Sequence, residues 1–557
     1  MDNKKIAGIF EEMADILNIK GDIFFKINAY REASLVILNL PYDLRAVVDK
    51  NPLDLEKIPG IGKGLKDKIT ELIQTGKCKE HEDLKKGFPS GLLELLQLRG
   101  VGPKKVKLLY GHLKIKNIKE LKNACSKHLV AKIPGMGPKT EEDILKAIDE
   151  HSHFATKRSL ISEATQEALR FIEYLKKSPE IEKIQYAGSL RRKQETIGDI
   201  DILTTDVLEI LSEGDTKSGV ILESGIHVDL RVVDDKCFGA ALHYFTGSKE
   251  HNIKIRDLAK KKGLKVSEYG VFKNKKMIAG KTEDEVFKAV GLPYIIPEIR
   301  RDDGEIEYGL KYKKFPDFLG VDDIKADLHL HTKYSDGDNS IEEMVTAGIK
   351  AGYKYLAITD HSSLVGVAGG MGKKDILEQW MEIDKLNKKF RGKIKILKGC
   401  EVDILKDGSL DFEDSVLKEL DIVIASAHLY GRLPEKEQTA RLIAAIENPY
   451  VKILGHPSGR LINRRAPMEF DVEKIIDACV SNKVALEINS NPSRLDLSDK
   501  YIKTAKDKGA KFVIDTDSHD TDQLQFMYYG VGIARRGWLT KKDVLNARSF
   551  KEFDSYF

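Results

Sequence analysis

From residue 324 onward, short apolar runs alternate with amphipathic helical stretches, and nearly every run ends in a residue able to bind a metal. Ile324-Lys325-Ala326-Asp327-Leu328 leads to His329 and His331, and Tyr355-Leu356-Ala357-Ile358-Thr359 leads to Asp360-His361. Ile394-Lys395-Ile396-Leu397 leads to Glu401, the run 422–427 to His428, the run 451–455 to His456, and Phe512-Val513-Ile514 to Asp515, Asp517 and His519. This alternation predicts a parallel β/α architecture, and such folds gather their chemistry at the carboxyl ends of the strands. His329-x-His331 and Asp517-x-His519 have strand spacing, so each pair projects to one side. A single histidine after a strand is usually structural. With Asp336 in the first loop, nine such residues predict a metal centre, and mixed imidazole and carboxylate donors suit Mn²⁺, Zn²⁺ or Fe²⁺.

Upstream, Asp199 and Asp201 stand two apart in the strand-like run Gly198-Asp199-Ile200-Asp201-Ile202-Leu203, so both carboxylates leave one face. Asp229, in His227-Val228-Asp229-Leu230-Arg231, adds a third from a second strand-like run. Three clustered carboxylates repel one another unless cations lie between them. Mg²⁺ suits such a site because it takes carboxylate oxygens and keeps positions for water and phosphate. Two such ions about 3.5–4 Å apart form the clamp for in-line phosphoryl transfer. The preceding Gly188-Ser189-Leu190-Arg191-Arg192 offers backbone N–H groups, a hydroxyl and two guanidinium groups, which fit a triphosphate.

Residues 1–150 read as helical, with apolar residues at helical spacing from Ile6 to Leu17. One pattern occurs three times, as Ile58-Pro59-Gly60-Ile61-Gly62, Leu98-Arg99-Gly100-Val101-Gly102 and Ile133-Pro134-Gly135-Met136-Gly137. Each closes an apolar helix end and opens a lysine-bearing helix. The glycines permit a tight turn that leaves N–H groups at the next helix start free to meet a DNA phosphate. Three copies favour sequence-independent backbone binding.

A chain of 557 residues is too long for one core. No apolar stretch reaches membrane-span length, and Met1-Asp2-Asn3-Lys4-Lys5 lacks a signal-peptide apolar region. Five scattered cysteines form neither a zinc motif nor a secreted framework, which with the missing leader predicts a cytoplasmic protein without membrane attachment. The net charge of +4 says little about nucleic acid.

Gly188-Ser189-x-Arg191-Arg192, Asp199-x-Asp201, Asp229 and Tyr244-Phe245-Thr246-Gly247-Ser248 resemble, in this order, the palm and thumb signatures of family X DNA polymerases. The resemblance implies that Gly188, Ser189 and Arg192 meet the incoming dNTP, and that Asp199 and Asp201 hold two Mg²⁺ or Mn²⁺ ions. Asp229 would join the ion nearer the primer 3′-hydroxyl and act as its general base. Tyr244, Phe245 and Gly247 would line the sugar pocket, Asn252 would meet the minor-groove edge of the nascent pair, and Lys249 and Arg256 the DNA backbone. His227 stands where animal members carry an arginine, which alters the charge beside the primer.

The glycine repeats resemble helix-hairpin-helix motifs, placing Gly60, Gly62, Gly100, Gly102, Gly135 and Gly137 at DNA. The stretches 25–31 and 57–68 resemble the amino-terminal domain of the same polymerases, which in some members grips a 5′-phosphate and removes deoxyribose phosphate through a lysine. Lys68 aligns with that nucleophile, Lys26 and Tyr30 with its phosphate-side neighbours, and Gly64 replaces a usual basic residue. Such a lysine needs a depressed pKa, which a cationic, partly buried site provides.

His329, His331, Asp336, His361, Glu401, His428, His456, Asp517 and His519 resemble the ligand set of the polymerase-and-histidinol-phosphatase (PHP) domain, with every position filled. That implies a distorted (β/α)7 barrel holding up to three ions, a phosphoesterase with Glu401 bridging metals. Arg460, in Gly455-His456-Pro457-Ser458-Gly459-Arg460, would balance oxyanion charge.

Together the resemblances cover nearly the whole chain and match bacterial and archaeal family X polymerases with a carboxy-terminal PHP domain. They imply a monomer acting on gapped or primer-template DNA, filling short gaps from dNTPs and trimming 3′ ends, with cleavage at abasic sites as a further activity. The expected multidomain order is a helical DNA-binding domain (1–85), a helix-hairpin-helix subdomain (86–150), an α+β nucleotidyltransferase palm (151–240), a thumb-like subdomain (241–315), a linker (316–325) and the PHP barrel (326–557). The rival readings are a polymerase whose PHP domain is only structural, a DNA-binding scaffold, and a small-molecule phosphatase.

Overall fold

The computed structural model describes residues 3–38, 44–58, 61–89, 91–96, 98, 101–154, 158–178, 181–205, 217–222, 224–363, 369–431 and 433–557. They fall in two compact units, Met1–Lys157 and Arg158–Phe557. No helix among the described residues is long and apolar enough to cross a membrane.

The described residues of the first unit form helices and connecting turns, from Asn3–Lys20 to Pro138–Phe154. Phe10, Met13 and Leu17 pack with Ile27, Tyr30 and Leu72 in one core, and Leu95, Val106, Leu121 and Ile144 belong to a second. The three glycine repeats share one geometry. The carbonyls of Ile58, Leu98 and Ile133 accept from the N–H groups of Ile61, Val101 and Met136 at 3.0, 3.0 and 2.9 Å. All six side chains are buried, so the apolar residue between the glycines anchors the turn to the core. The next helices begin at Lys63, Pro103 and Pro138. Proline at such a start loses no hydrogen bond, because the first N–H groups of a helix have no partner inside it.

In the second unit, β1 (Ser159–Leu160) pairs with β3 (Thr196–Ile197), while β2 (Ile184–Tyr186), β4 (Asp199–Thr204), β5 (Lys217–Ile221) and β6 (His227–Val232) form a sheet of order β2-β4-β6-β5. Strands β4 and β6 run parallel and their neighbours antiparallel. Alternation sends Ile200, Ile202, Val228 and Leu230 into the core with Ala164, Ala168 and Ile172 of the helix Ile161–Leu175. Each such side chain, fully buried, stabilises by roughly 1.5–3 kcal/mol, and a one-residue slip would expose the whole set. Register therefore fixes Asp199, Asp201 and Asp229 on the opposite face. A thumb-like body follows, in which helices Phe238–Thr246, Lys249–Lys261 and Glu283–Val290 pack on the antiparallel strands β7 (Leu264–Ser267), β8 (Gly270–Lys273) and β9 (Lys276–Ala279) around Ile255, Val271 and Phe287.

Within 316–325, expected as a linker, Leu319 and Ile324 are buried while Asp317, Val321 and Asp322 are exposed. Leu319 is buried and its N–H donates to the Leu539 carbonyl at 3.3 Å, while Phe318 joins Phe315 and Trp538 in an aromatic cluster. Apolar side chains at Phe318, Leu319 and Ile324 gain more by burial than an exposed tether would allow.

Seven parallel strands then run in sequential order: β10 (Ala326–Asp327), β11 (Tyr355–Ile358), β12 (Lys395–Asp403), β13 (Ile422–Ser426), β14 (Ile453–Leu454), β15 (Ala485–Asn489) and β16 (Phe512–Asp515). A parallel bridge between Leu330 and Ser518, with the His331 N–H donating to the Ser518 carbonyl at 2.9 Å, brings the last strand back to the first. Tyr355, Leu397, Ile424, Ile453 and Val513 fill the interior with Phe553 from the last helix. The carboxyl ends of the strands consequently share one mouth.

Candidate active sites

In the β4–β6 register Asp201 lies opposite Asp229, and Asp199 opposite His227. Asp199 and Asp201 border a cavity of about 450 Å³ together with Gly188, Ser189, Arg192, Tyr244, Phe245, Gly247, Lys249, Asn252 and Arg256. Gly188 has φ +60°, and a Cβ built there would come 2.4 Å from Asp201 Oδ2, so only glycine lets the turn pass the carboxylate. Gly247 has φ +69°, and a Cβ there would crowd the Arg192 guanidinium at 3.1 Å. Asn252 donates from Nδ2 to the Tyr244 carbonyl at 2.7 Å, holding the aromatic segment at the cavity edge. Arg231 covers the Phe245 ring at 4.1 Å and lies 3.6 Å from Asp229 Oδ2.

The two arginines of the turn part company. Arg192 donates to the Thr246 carbonyl and borders the cavity; burial, then neighbouring Arg536, lower its pKa to about 10, which leaves it charged at neutral pH. Arg191, expected to share the triphosphate, is instead bound to Glu283 at 2.9 and 2.6 Å and to Thr246 Oγ1 at 2.6 Å. Consecutive residues of the one-turn helix Gly188–Arg191 and its cap point to different sides, and only one can face the carboxylates. Arg158 and Gln194 border the same cavity and were not singled out from the sequence, because neither belongs to a recognisable pattern.

In the barrel, all nine residues named from the sequence converge. Their ligand atoms form four groups, each within 4.8 Å: His331–Asp336–His361–His519, His329–His331–Glu401, His329–His456–Asp517, and His361–Glu401–His428. Glu401 is central. Its Oε2 lies 3.2, 3.5 and 3.0 Å from ring nitrogens of His329, His331 and His361, and its Oε1 lies 3.3 and 2.9 Å from those of His428 and His456. Burial would raise the Glu401 pKa, but His329, His428 and His361 outweigh it and hold the carboxyl well below its usual range. Burial, with His519 and His361 alongside, lowers His331 to about 4, leaving a neutral imidazole donor.

Nε2 of His329, both ring nitrogens of His331 and both oxygens of Glu401 are buried and make no hydrogen bond. Such atoms cost about 1–3 kcal/mol each when left unpaired. Divalent cations supply the missing partners, so the donor set fits them.

Beneath the ligands lie two residues the sequence reading missed. Glu487 Oε1 accepts from His329 Nδ1 at 2.6 Å, and its Oε2 accepts from the His456 N–H. Asn489 donates from Nδ2 to Asp517 Oδ2 at 3.0 Å. Strand β15 therefore contributes no ligand but braces three. A carboxylate on Nδ1 fixes the tautomer that turns the Nε2 lone pair toward a metal. The apolar run ending in Glu487-x-Asn489 carries the same strand spacing as the ligand pairs and was the available signal.

Arg460, expected to balance oxyanion charge, has partners outside the ligand set. Its guanidinium is held by Glu195 of the palm at 3.1 and 2.6 Å and donates to the backbone carbonyls of Arg494, at 2.8 Å, and Leu495. It ties the barrel to the palm, and none of these four bonds goes to a metal-ligand residue. Arg536 and Asp499 extend that junction: Arg536 donates to the Arg192 carbonyl at 2.7 Å and to Asp499 at 2.6 Å.

In the first unit, Lys26, Tyr30, Lys68, Gly62 and Gly64 border a cavity of about 380 Å³. Lys26 and Lys68 lie 3.0 and 3.1 Å from the two oxygens of Glu80, and Lys68 also donates to the Gly64 carbonyl at 3.0 Å. A Cβ built at Gly62, Gly102 or Gly137 would meet nothing within 4 Å, so packing inside the chain does not demand glycine there. Gly135 has φ +83°, which does demand it. Gly60 and Gly100 lie outside the described residues.

Family models match a helix-hairpin-helix domain at residues 1–78, a SAM-like helix-hairpin-helix tandem at 92–150, a DNA polymerase beta thumb at 241–301 and a PHP domain at 327–491. The DNA polymerase/3′-5′ exonuclease PolX of Bacillus subtilis (strain 168) is 41% identical over 575 aligned residues, which cover 100% of this chain and 99% of that protein. The chain belongs to the PolX family of DNA polymerases. Shorter relatives also exist. A probable phosphatase of Thermoanaerobacter sp. (strain X514) is 31% identical over 235 residues, 40% of this chain and 90% of that protein, and one of Caldicellulosiruptor bescii is 30% identical over 207 residues, 35% and 80% respectively. The PolX family therefore joins a polymerase half to a domain that also has relatives among phosphatases.

Proposed function

We propose that the chain is a gap-filling DNA polymerase joined to a metal-dependent 3′-5′ exonuclease, acting on gapped or primer-template DNA and dNTPs. The convergence of nine ligands in the barrel of a chain whose palm carries Asp199, Asp201 and Asp229 on one face is the observation that carries this reading. It disfavours the structural-barrel and scaffold alternatives, each of which expects a broken set.

In the palm, Ser189 and Arg192 bind the triphosphate, Asp199, Asp201 and Asp229 hold Mg²⁺ or Mn²⁺, and Asp229 takes the proton of the primer 3′-hydroxyl. Gly247 brings backbone against the sugar and excludes a 2′-hydroxyl, with Tyr244 and Phe245 beside it. Asn252 meets the minor-groove edge of the nascent pair, and Lys249 and Arg256 meet phosphates.

In the barrel, the nine residues would hold Mn²⁺, Zn²⁺ or Fe²⁺, up to three ions, with Glu401 at the centre of the donor set. When bound, these ions supply Lewis-acid and water-activating chemistry. The helix starts at Gly62, Gly102 and Gly137 lie against DNA phosphates without regard to sequence. Lys26, Tyr30 and Lys68 grip the 5′-phosphate of a gap, and of the three lysines that border the pocket Lys68 is the one that aligns with the family's deoxyribose-phosphate lyase nucleophile.

The test is a 5′-labelled primer bounding a short gap, incubated with Mn²⁺. With dNTPs the primer grows to fill the gap; without them it shortens from its 3′ end; chelation stops both. A primer that neither grows nor shortens would overturn the reading.

A further inference from the structure

The palm turn that borders the carboxylate cavity is tied from behind to a helix of the barrel. Helix Gly188–Arg191 ends at Arg192, whose side chain borders the cavity together with Ser189. The last carbonyls of a helix have no partner inside it. Here the Arg192 carbonyl accepts from Arg536 Nη1 at 2.7 Å, and Arg536 is the last residue of the barrel helix Met527–Arg536. Arg536 is buried, and its Nε donates to Asp499 Oδ2 at 2.6 Å. The same oxygen accepts from Arg301 at 2.7 Å. One rigid fork therefore joins an anchored carboxylate to the palm turn.

The residues that follow meet the same region of the barrel. Lys193 has φ +54° and is buried. Its ammonium lies 3.9 Å from the centre of the Tyr528 ring and bonds the Tyr528 hydroxyl, which is 3.1 Å from that of Tyr186 on β2. A Cβ built on Gly532 would come 3.1 Å from Lys193 Cγ and 3.2 Å from its Cβ, so a side chain there would crowd the turn. Glu195 closes the series with its bonds to Arg460. On its other side the helix is seated on the strands. A Cβ on Gly530 would come 2.0 Å from Ser490 Oγ and 2.7 Å from Ile514 Cγ2. Residues two apart on a helix point to different sides. The helix thus has no room to retreat into the barrel, and its position fixes that of the turn.

We propose that Arg536 is a positioning residue for nucleotide binding: from the barrel, it holds the Arg192 backbone so that Ser189 and Arg192 meet the triphosphate. The assignment rests on the triphosphate-binding role given above to those two residues. Arg536 does not border the cavity, and neither of its bonds goes to a metal-ligand residue, so it acts through the turn. The barrel then serves synthesis by its fold, separately from its donor set. Contacts to a triphosphate are made before and during transfer alike, so weakening them raises KM and leaves kcat nearly alone.

The experiment uses the full chain as wild type, Arg536→Met, Arg536→Lys, Gly532→Ala, Arg192→Ala and the pair Arg192→Ala with Arg536→Met. Single-nucleotide extension of a gapped primer gives kcat and KM for the dNTP, and 3′ shortening is followed without dNTPs.

Arg536→Met should raise the dNTP KM by about 10-fold, as loss of one charged hydrogen bond does, with kcat within about 3-fold and shortening unchanged. Arg536→Lys should recover part of this, because a point charge can make only one of the fork's two bonds. Gly532→Ala, which crowds Lys193, should raise KM by a separate route. Added to Arg192→Ala, Arg536→Met should change KM little, because two residues that act through one contact are not additive. A lower kcat with KM unmoved in Arg536→Met would make the residue a support of folding alone and overturn the proposal, as would full additivity with Arg192→Ala. If Arg536→Met does not fold, Arg536→Lys and Gly532→Ala decide, and an unchanged dNTP KM in both would overturn it. An unchanged KM in Arg192→Ala would overturn the triphosphate reading itself. A raised KM there with none in Arg536→Met would overturn only the part given to the barrel.

Discussion

The palm and the barrel mouth are two answers to the same electrostatic problem. The palm sets three carboxylates on the open face of a four-stranded sheet, with Asp199 exposed and Asp201 and Asp229 half-buried. The barrel buries its donors: His329 and His331 are 0% and Glu401 1% exposed, and imidazoles outnumber carboxylates. Carboxylates near water hold hard ions weakly and keep positions for substrate phosphates, so on the proposed reading the nucleotide would complete the palm site. Buried imidazoles, oriented by Glu487 and packed strands, are a donor set that would hold ions before substrate arrives. The same protein can thus run synthesis and hydrolysis with metals held on different terms.

The largest effect should come from the palm carboxylate opposite Asp229. Asp201→Ala should cut primer extension by about 10³-fold, since it removes a charge that acts at the reacting centre, while 3′ shortening persists. Steady-state extension and shortening rates on one gapped substrate check this. Parallel loss of both would erase the distinction between the two sites.

Stability should separate the halves next. Burial would raise the Glu283 pKa, but Arg300 and Arg191 outweigh it and hold the carboxyl far below the usual glutamate range. A depressed folded-state pKa means the stabilisation is fully present above the unfolded value, about 4.5, and is lost as pH falls through the folded value. Glu283→Ala leaves two buried guanidinium groups unpaired and should destabilise the palm and thumb by about 3–5 kcal/mol near neutral pH. Denaturant unfolding at pH 7 and at pH 3 reads this, with a smaller difference from wild type expected at the lower pH.

Smaller still, Glu487→Gln should weaken Mn²⁺ binding in the barrel by about 10–100-fold while the Mg²⁺ dependence of extension stays put. Metal titration of both proteins decides it. Equal weakening at both sites would mean that β15 does not act on the barrel alone. The mildest change concerns the hairpins. Gly62→Ala meets nothing inside the chain, so stability should move by no more than about 0.5 kcal/mol, whereas DNA affinity falls because the added methyl keeps a phosphate from the helix start. Fluorescence anisotropy with labelled duplex measures that loss.

Legibility in the sequence followed the same division. Eight of the nine barrel ligands follow apolar runs that read as strands, and strand ends in a parallel barrel meet at one mouth; Asp336 lies in the first loop. The glycine repeats were equally legible, since Ile61, Val101 and Met136 sit at the same place in each. What sequence could not supply was direction. Arg191 and Arg192 are adjacent in the chain, yet one is bound to Glu283 and the other borders the cavity. Arg460 and Arg494 are both in loops beside the metal centre, and only the fold shows that Glu195, from the distant palm, takes the first. Glu487 and Asn489 were passed over because a buried strand with no ligand at its end looks like core. A resemblance names residues well; it does not say which of two neighbouring guanidinium groups is already occupied.

The central claim is that two independent metal sites act on one kind of DNA end. The direct measurement is a gel assay on gapped DNA with an internally labelled primer, with and without dNTPs, comparing wild type, Asp201→Ala and His331→Ala. The account predicts extension lost only in Asp201→Ala and shortening lost only in His331→Ala. Shortening that survives His331→Ala would contradict it, and would leave the barrel as a scaffold for the polymerase alone.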